Sequence, residues 1–124
     1  SHKLDHLLEW NNNKNIVADK YKKGINNYKV VLPKIAEYCT YHSYHIFHLI
    51  VEDREKFTLH LSKNGIPNII HYPFAISQTK IYNGEKLITS KNSIEYANKI
   101  VSLPIHPFMG NDEINNVIDV INKY

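Results

Sequence analysis

The sequence predicts an α+β domain: a small, mostly antiparallel sheet covered on one face by helices. Segments rich in β-branched and aromatic residues recur at 28–32, 43–51 and 66–72, bounded by Pro33, Gly65 and Pro73. Between them and beyond run helical stripes. The clearest is Ile114, Val117, Ile118 and Ile121, at i, i+3, i+4 and i+7. From 43 to 72 the order is strand, helix, strand, with only Gly65 between helix and second strand, which suits a helix lying across a small sheet.

Taken in order, residues 3–25 form a helix, with Leu4, Leu7, Leu8, Val17, Tyr21 and Ile25 spaced near three and four and Trp10 beside the stripe. Asn11, Asn12 and Asn13 weaken its middle, and Gly24 stops it before the turn residues Asn26 and Asn27. Tyr28–Leu32 is a short strand ended by Pro33, which has no N–H for a ladder. A loop spans 33–42 and a central strand 43–51. Asp53 caps a helix through Asn64, with Phe57 and Leu61 on its buried face and Gly65 as the left-handed residue after it. The next strand is 66–72.

Residues 74–92 carry little pattern beyond an Asn83–Gly84 turn signal. Asn92 or Ser93 opens a helix whose face is Ile94, Ala97 and Ile100 or Val101. Ser102–Ile105 is a short strand pinned by Pro104 and Pro107. Asn111 caps the last helix, with Asp112 and Glu113 in its first turn, where carboxylates favour the positive helix end. Burying its four-residue stripe is worth about 6–12 kcal/mol before entropy, so this helix is structural.

The 124 residues amount to one ordinary core, and 43% hydrophobic against 22% charged residues is a globular balance. Cys39 is the single cysteine, so no intrachain disulfide forms and a reducing, cytoplasmic setting is expected. No apolar run reaches the roughly 18 residues of a membrane span. The net charge of +3 comes from lysines scattered among acids, without the basic stripe or interleaved aromatics of a nucleic-acid binder.

Few residues point to chemistry. His42, His45 and His48 invite a metal, but at a spacing of three in a strand His45 faces away from the other two. Asp53 and Glu55 read as cap and first-turn charges. Cys39 has no basic neighbour to activate it, and no glycine-rich phosphate loop is present. His71 and Tyr72 differ. They end an apolar strand just before Pro73, a position where a side chain closes the core or meets a ligand.

Tyr44-His45-Ile46-Phe47, Glu52-Asp53-Arg54, Gly65-Ile66, His71-Tyr72-Pro73, Ile81-Tyr82, Ser102-Leu103-Pro104-Ile105-His106-Pro107 and Asp112-Glu113-Ile114 follow one another in an order that resembles the carboxyl-terminal third of the DegT/StrS family of sugar aminotransferases. The helix Leu4–Tyr21 with Trp10-Asn11 is similar to that family's linking helix. The ending is most similar to enzymes that aminate the 3-keto position of thymidine-diphosphate 6-deoxyhexoses. The resemblance implies a fold like the carboxyl-terminal domain of fold-type I aminotransferases. In that scheme residues 1–27 are a linking helix from a large domain and 28–124 the small domain.

It further implies transfer of an amino group from glutamate to a nucleotide-linked keto-deoxysugar, with pyridoxal 5'-phosphate as cofactor, in a homodimer. The Schiff-base lysine of the family lies in the preceding large domain and has no counterpart here. No catalytic, cofactor or metal residue is therefore assigned, and the fragment alone is expected to be inactive. His71 and Tyr72 match the family's His-Tyr at the mouth of the sugar-nucleotide cleft and are the substrate-binding candidates. Ser77 stands where the family has His, and Gln78 or Thr79 where it has Gln, so that loop's contact differs. The missing large domain is expected to cover an apolar face around Leu7, Trp10 and Val17. A stand-alone, non-catalytic α+β module that binds a nucleotide sugar or a protein partner is the alternative.

Overall fold

The computed structural model describes residues 2–82 and 90–124, so the Asn83–Gly84 turn lies outside the described residues. In chain order the elements are α1 (His2–Asp5), α2 (Leu7–Gly24), β1 (Val30–Val31), β2 (Phe47–Val51), α3 (Arg54–Lys63), α4 (Lys91–Lys99), β3 (Ile100–Leu103) and α5 (Asn111–Asn122), with two single 3₁₀ turns at 76–78 and 80–82. The architecture is the α+β one read from the sequence. β2 is central, and both β1 and β3 pair with it antiparallel.

The register places Phe47 opposite Leu103 and Leu49 opposite Val101. These four side chains and Val51 are buried, as period-two alternation requires of a sheet with one packed face. Val17, Ala18 and Tyr21 of α2, Phe57 and Leu61 of α3, and Ile114, Val117, Val120 and Ile121 of α5 fill that core. On the other face β1 contributes Val31, which is exposed, and β2 contributes His48 and Ile50, which are half-buried.

α3 follows the sequence reading closely. The Asp53 carboxylate accepts from the Lys56 N–H at 3.0 Å. Gly65 has φ +73°, its N–H donates to the Ser62 carbonyl, and the Ile66 N–H donates to Leu61. That double return bond is the Schellman stop, sealed by the buried Leu61 and Ile66.

Other boundaries differ, for physical reasons. The central strand begins at Phe47 rather than 43 because Tyr44 is left-handed (φ 43°), a conformation that cannot continue a pleat. Its ring is buried, and its hydroxyl is held by Lys22 Nζ. The 66–72 strand reduces to one antiparallel bridge, Ile69 with Ser102. Pro67 and Pro73 cannot donate to a ladder. β3 starts two residues before the strand read at Ser102: Ile100 and Val101 suit helix face and strand alike, and pairing with Ile50 and Leu49 decides between them.

Helix details also shift. α4 opens at Lys91, not at Asn92 or Ser93. Gly110, not Asn111, is the residue before α5, and the Asn111 side chain instead accepts from Lys20 Nζ. Val120 joins the buried stripe of α5, while Ile118 packs half-buried at its side. The first turns of the amino-terminal helix stand clear of the core, leaving Leu4 67% and Leu8 72% exposed. Of the apolar face expected around Leu7, Trp10 and Val17, Val17 belongs to the core instead.

At Gly24, the last residue of α2, α5 comes close. A Cβ built there would lie 2.7 Å from Ile118 Cδ1 and 3.0 Å from Cγ2. Two opposed effects set the outcome of Gly24→Ala: a gain in helix propensity of up to about 1 kcal/mol and an overpacking cost of about 1–3 kcal/mol. Gly24→Ala is expected to destabilise the chain by about 1 kcal/mol in urea unfolding. Made on an Ile118→Ala background, which removes the clashing atoms, the same change should be neutral or stabilising. An equal cost in both backgrounds would show that α2 and α5 do not meet there.

Candidate functional site

His71 and Tyr72 sit where the chain leaves the outer edge of β3. Ser102 is in the middle of that strand and only 4% exposed. Its N–H donates to the Ile69 carbonyl at 2.8 Å and its carbonyl accepts from the Ile69 N–H at 3.3 Å. With both backbone groups of Ser102 engaged outward, His48 across the sheet is its non-hydrogen-bonded partner, the kind whose side chains lie closest. Two residues past Ile69, His71 brings Nδ1 to 3.0 Å from Ser102 Oγ.

The two candidates face different spaces. Half-buried His71 borders a recess of about 80 Å³ walled by Ile69, Ser102, Leu103 and Pro104. Tyr72 is 70% exposed, lies edge-on to the His71 ring at 5.7 Å, and borders an open hollow of about 460 Å³. Phe74, Ile76 and Tyr96 give that hollow an apolar wall, and Ser77 and Ser93 its polar groups. A wall of this kind suits a ring face or a sugar methyl, with few polar atoms fixing orientation.

Two polar groups of the 75–79 loop bond within the loop. Gln78 Oε1 accepts from the Ala75 N–H at 3.0 Å, and the Thr79 hydroxyl donates to the Ile76 carbonyl at 2.7 Å. Ser77, where the resembled family has His, is half-buried and lines the hollow.

The remaining candidates are held apart. His42 precedes β2, and its Nδ1 accepts from the Tyr44 N–H at 3.0 Å; His45 is exposed. No cluster of three metal-ligating side chains forms among the described residues. Burial, and then the charge of His42, lower the pKa of His48. The Cys39 thiol lies 3.3 Å from the Tyr41 carbonyl. Lys99 bridges Glu52 and Glu95 at 2.9 and 3.0 Å, and bonding first to Glu52 and then to Glu95 raises its pKa. Ser102 was missed in the sequence reading, although a hydroxyl between Val101 and Leu103 is a visible exception in an apolar strand.

The model of the DegT/DnrJ/EryC1/StrS aminotransferase family matches residues 1–122. The chain belongs to this family. It is 31% identical over 122 residues to the dTDP-3-amino-3,6-dideoxy-alpha-D-galactopyranose transaminase of Aneurinibacillus thermoaerophilus, covering 98% of this chain and 33% of that protein. It is 26% identical over 124 residues to the dTDP-3-amino-3,4,6-trideoxy-alpha-D-glucose transaminase of Streptomyces venezuelae, again over 98% of this chain and 33% of the relative. Among solved structures, S. venezuelae DesV in complex with a ketimine intermediate superposes with a TM-score of 0.89 at 28% identity, over 97% of this chain and 33% of DesV. CalS13 from Micromonospora echinospora, at 18% identity and a TM-score of 0.85, shares the fold over 97% of this chain and 32% of its own length. The chain thus spans about a third of the relatives it matches.

The pH dependence of His48 follows from its environment. The fold favours the neutral ring, so the folded chain takes up this proton less readily than the unfolded one. Stability from this source is complete above pH 6.5, the ordinary histidine value, and is lost as the pH falls below it. His48→Gln should flatten the slope of unfolding free energy against pH on the acid side. An unchanged slope would show that the ring is not disfavoured as a cation.

Proposed function

We propose that this chain is the substrate-facing lobe of a pyridoxal-phosphate-dependent aminotransferase that moves an amino group from glutamate to a thymidine-diphosphate-linked keto-deoxysugar. Residues 1–27 are its linking helix and 28–124 its small domain. The observation that carries the reading is the family match over residues 1–122, together with two relatives named as dTDP-aminosugar transaminases that cover nearly all of this chain. The ketimine complex of DesV, of which this chain matches a third, supports the same chemistry.

The lysines that border surface hollows do not suit the Schiff base of the cofactor. A Schiff-base lysine must be an uncharged amine when it reacts, which calls for desolvation or a cationic neighbour. Lys99 has two carboxylates instead and is held more firmly protonated. Lys20 and Lys29, at the rims of other surface hollows, spend their ammonium groups on Asn111 and on the Tyr124 carbonyl. A phosphate is favoured at a free positive helix end; α3 begins under the Asp53 carboxylate and α5 under Asp112 and Glu113, whereas α4 has neither a side-chain cap nor an acid in its first turn. In this reading the cofactor site belongs to polypeptide outside these residues, and no step of the reaction is placed on a side chain here.

What this lobe contributes is recognition. The imidazole of His71 offers a polar contact to the sugar or its phosphates, and the exposed ring of Tyr72 with its apolar hollow offers a face for the deoxysugar. Binding of this kind holds the keto carbon against the cofactor, which is the positional part of catalysis. In the full-length protein, His71→Ala is expected to raise KM for the dTDP-keto-sugar about tenfold, the loss of roughly one hydrogen bond, while KM for glutamate stays put. An unchanged KM for the sugar nucleotide in steady-state assays would remove His71 from the site.

A further inference from the structure

We infer that Ser102 is a positioning residue that fixes His71 as the Nε2–H tautomer, so that the imidazole meets its ligand as a neutral hydrogen-bond donor. The inference rests on the reading of His71 as a sugar-nucleotide contact and deepens it, because it states which atom of the ring is presented and in what form.

The argument begins with satisfaction of a buried hydroxyl. Ser102 is 4% exposed, and its Oγ has one hydrogen-bond partner among the described residues, His71 Nδ1 at 3.0 Å. A serine hydroxyl has one proton to donate and oxygen lone pairs to accept with. If Nδ1 carried the ring proton, the nitrogen would be the donor and the serine proton would be buried without an acceptor, at the full desolvation penalty of that group. If the hydroxyl donates to Nδ1, every group in the pair is used. The second arrangement wins by that margin and leaves the proton on Nε2, a nitrogen with no partner among the described residues.

The backbone makes the arrangement rigid. Ser102 holds Ile69 through two main-chain bonds and His71 through its side chain, so one residue grips the segment at two points, two residues apart. Its own position is set by β2 on the opposite side, where it pairs with His48. A ring so fixed donates at Nε2 without having to be charged. That suits an oxygen acceptor, a phosphate or a sugar oxygen.

Long-range ¹H–¹⁵N NMR of the full-length protein, at a pH where the imidazole is neutral, decides the matter. His71 should show an unprotonated Nδ1 and a protonated Nε2, and Ser102→Ala, nearly isosteric and with both backbone bonds kept, should release it to a mixture of tautomers. An Nδ1–H signature in the unaltered protein, which needs no variant, would overturn the inference. So would an unchanged tautomer in Ser102→Ala. Steady-state kinetics test the underlying reading separately. Ser102→Ala should raise KM for the dTDP-keto-sugar several-fold, less than His71→Ala, with kcat nearly unchanged. If the tautomer responds to Ser102 while neither variant moves KM, the grip on the ring stands and the substrate contact falls.

Discussion

Tyr21 is wholly buried in α2, and its hydroxyl donates to the carbonyl of Pro104 at 2.9 Å. A phenol in that position must find an acceptor, and the one it finds is where β3 leaves the sheet. Burial, reinforced by the Glu113 carboxylate, pushes its pKa well above the ordinary value, so the group remains a donor. The ring meets Phe47 of β2 edge-on at 5.2 Å. Helix, central strand and the exit of β3 are thus locked by one side chain. β3 in turn carries Ser102, Ser102 holds Ile69 and His71, and Tyr72 follows. The placement of the candidate site depends on that sequence of contacts, which begins in the core at Tyr21 and ends at the surface with Ile69 and Tyr72.

Much of the fold could be read from local pattern because the local signals agree with the packing. Asp53, Phe57, Leu61 and Gly65 each do in α3 what their residue types do elsewhere, and the period of Ile114, Val117 and Ile121 matches a buried helix face. The misreadings fall where two patterns are compatible with one stretch. Ile100 and Val101 extend a helical stripe and also fit a strand, and only the partner strand decides. Ser43 to Ile46 has strand composition, yet Tyr44 turns the chain to bury its ring, a tertiary gain invisible in composition. Leu4, Leu7 and Leu8 keep helical spacing without reaching this core, so periodicity showed that they form an apolar face and not what covers it.

The site was half legible. His71 and Tyr72 stand out as polar rings closing an apolar run, and the structure keeps them adjacent at the edge of β3. Sequence could not show that they turn into different spaces, the histidine toward Ser102 and the tyrosine toward Phe74, Ile76 and Tyr96. Nor could it show that Gln78 Oε1 and the Thr79 hydroxyl bond within their own loop. Those facts belong to side-chain geometry.

A lobe that recognises the substrate while the cofactor is held elsewhere is the claim that unites these observations. Borohydride reduction of the full-length protein loaded with pyridoxal phosphate, followed by peptide mapping, tests it most directly, because reduction turns the Schiff base into a stable secondary amine on one lysine. The account predicts the pyridoxyl label on a lysine outside these 124 residues. A label on any lysine from Lys3 to Lys123 would contradict it.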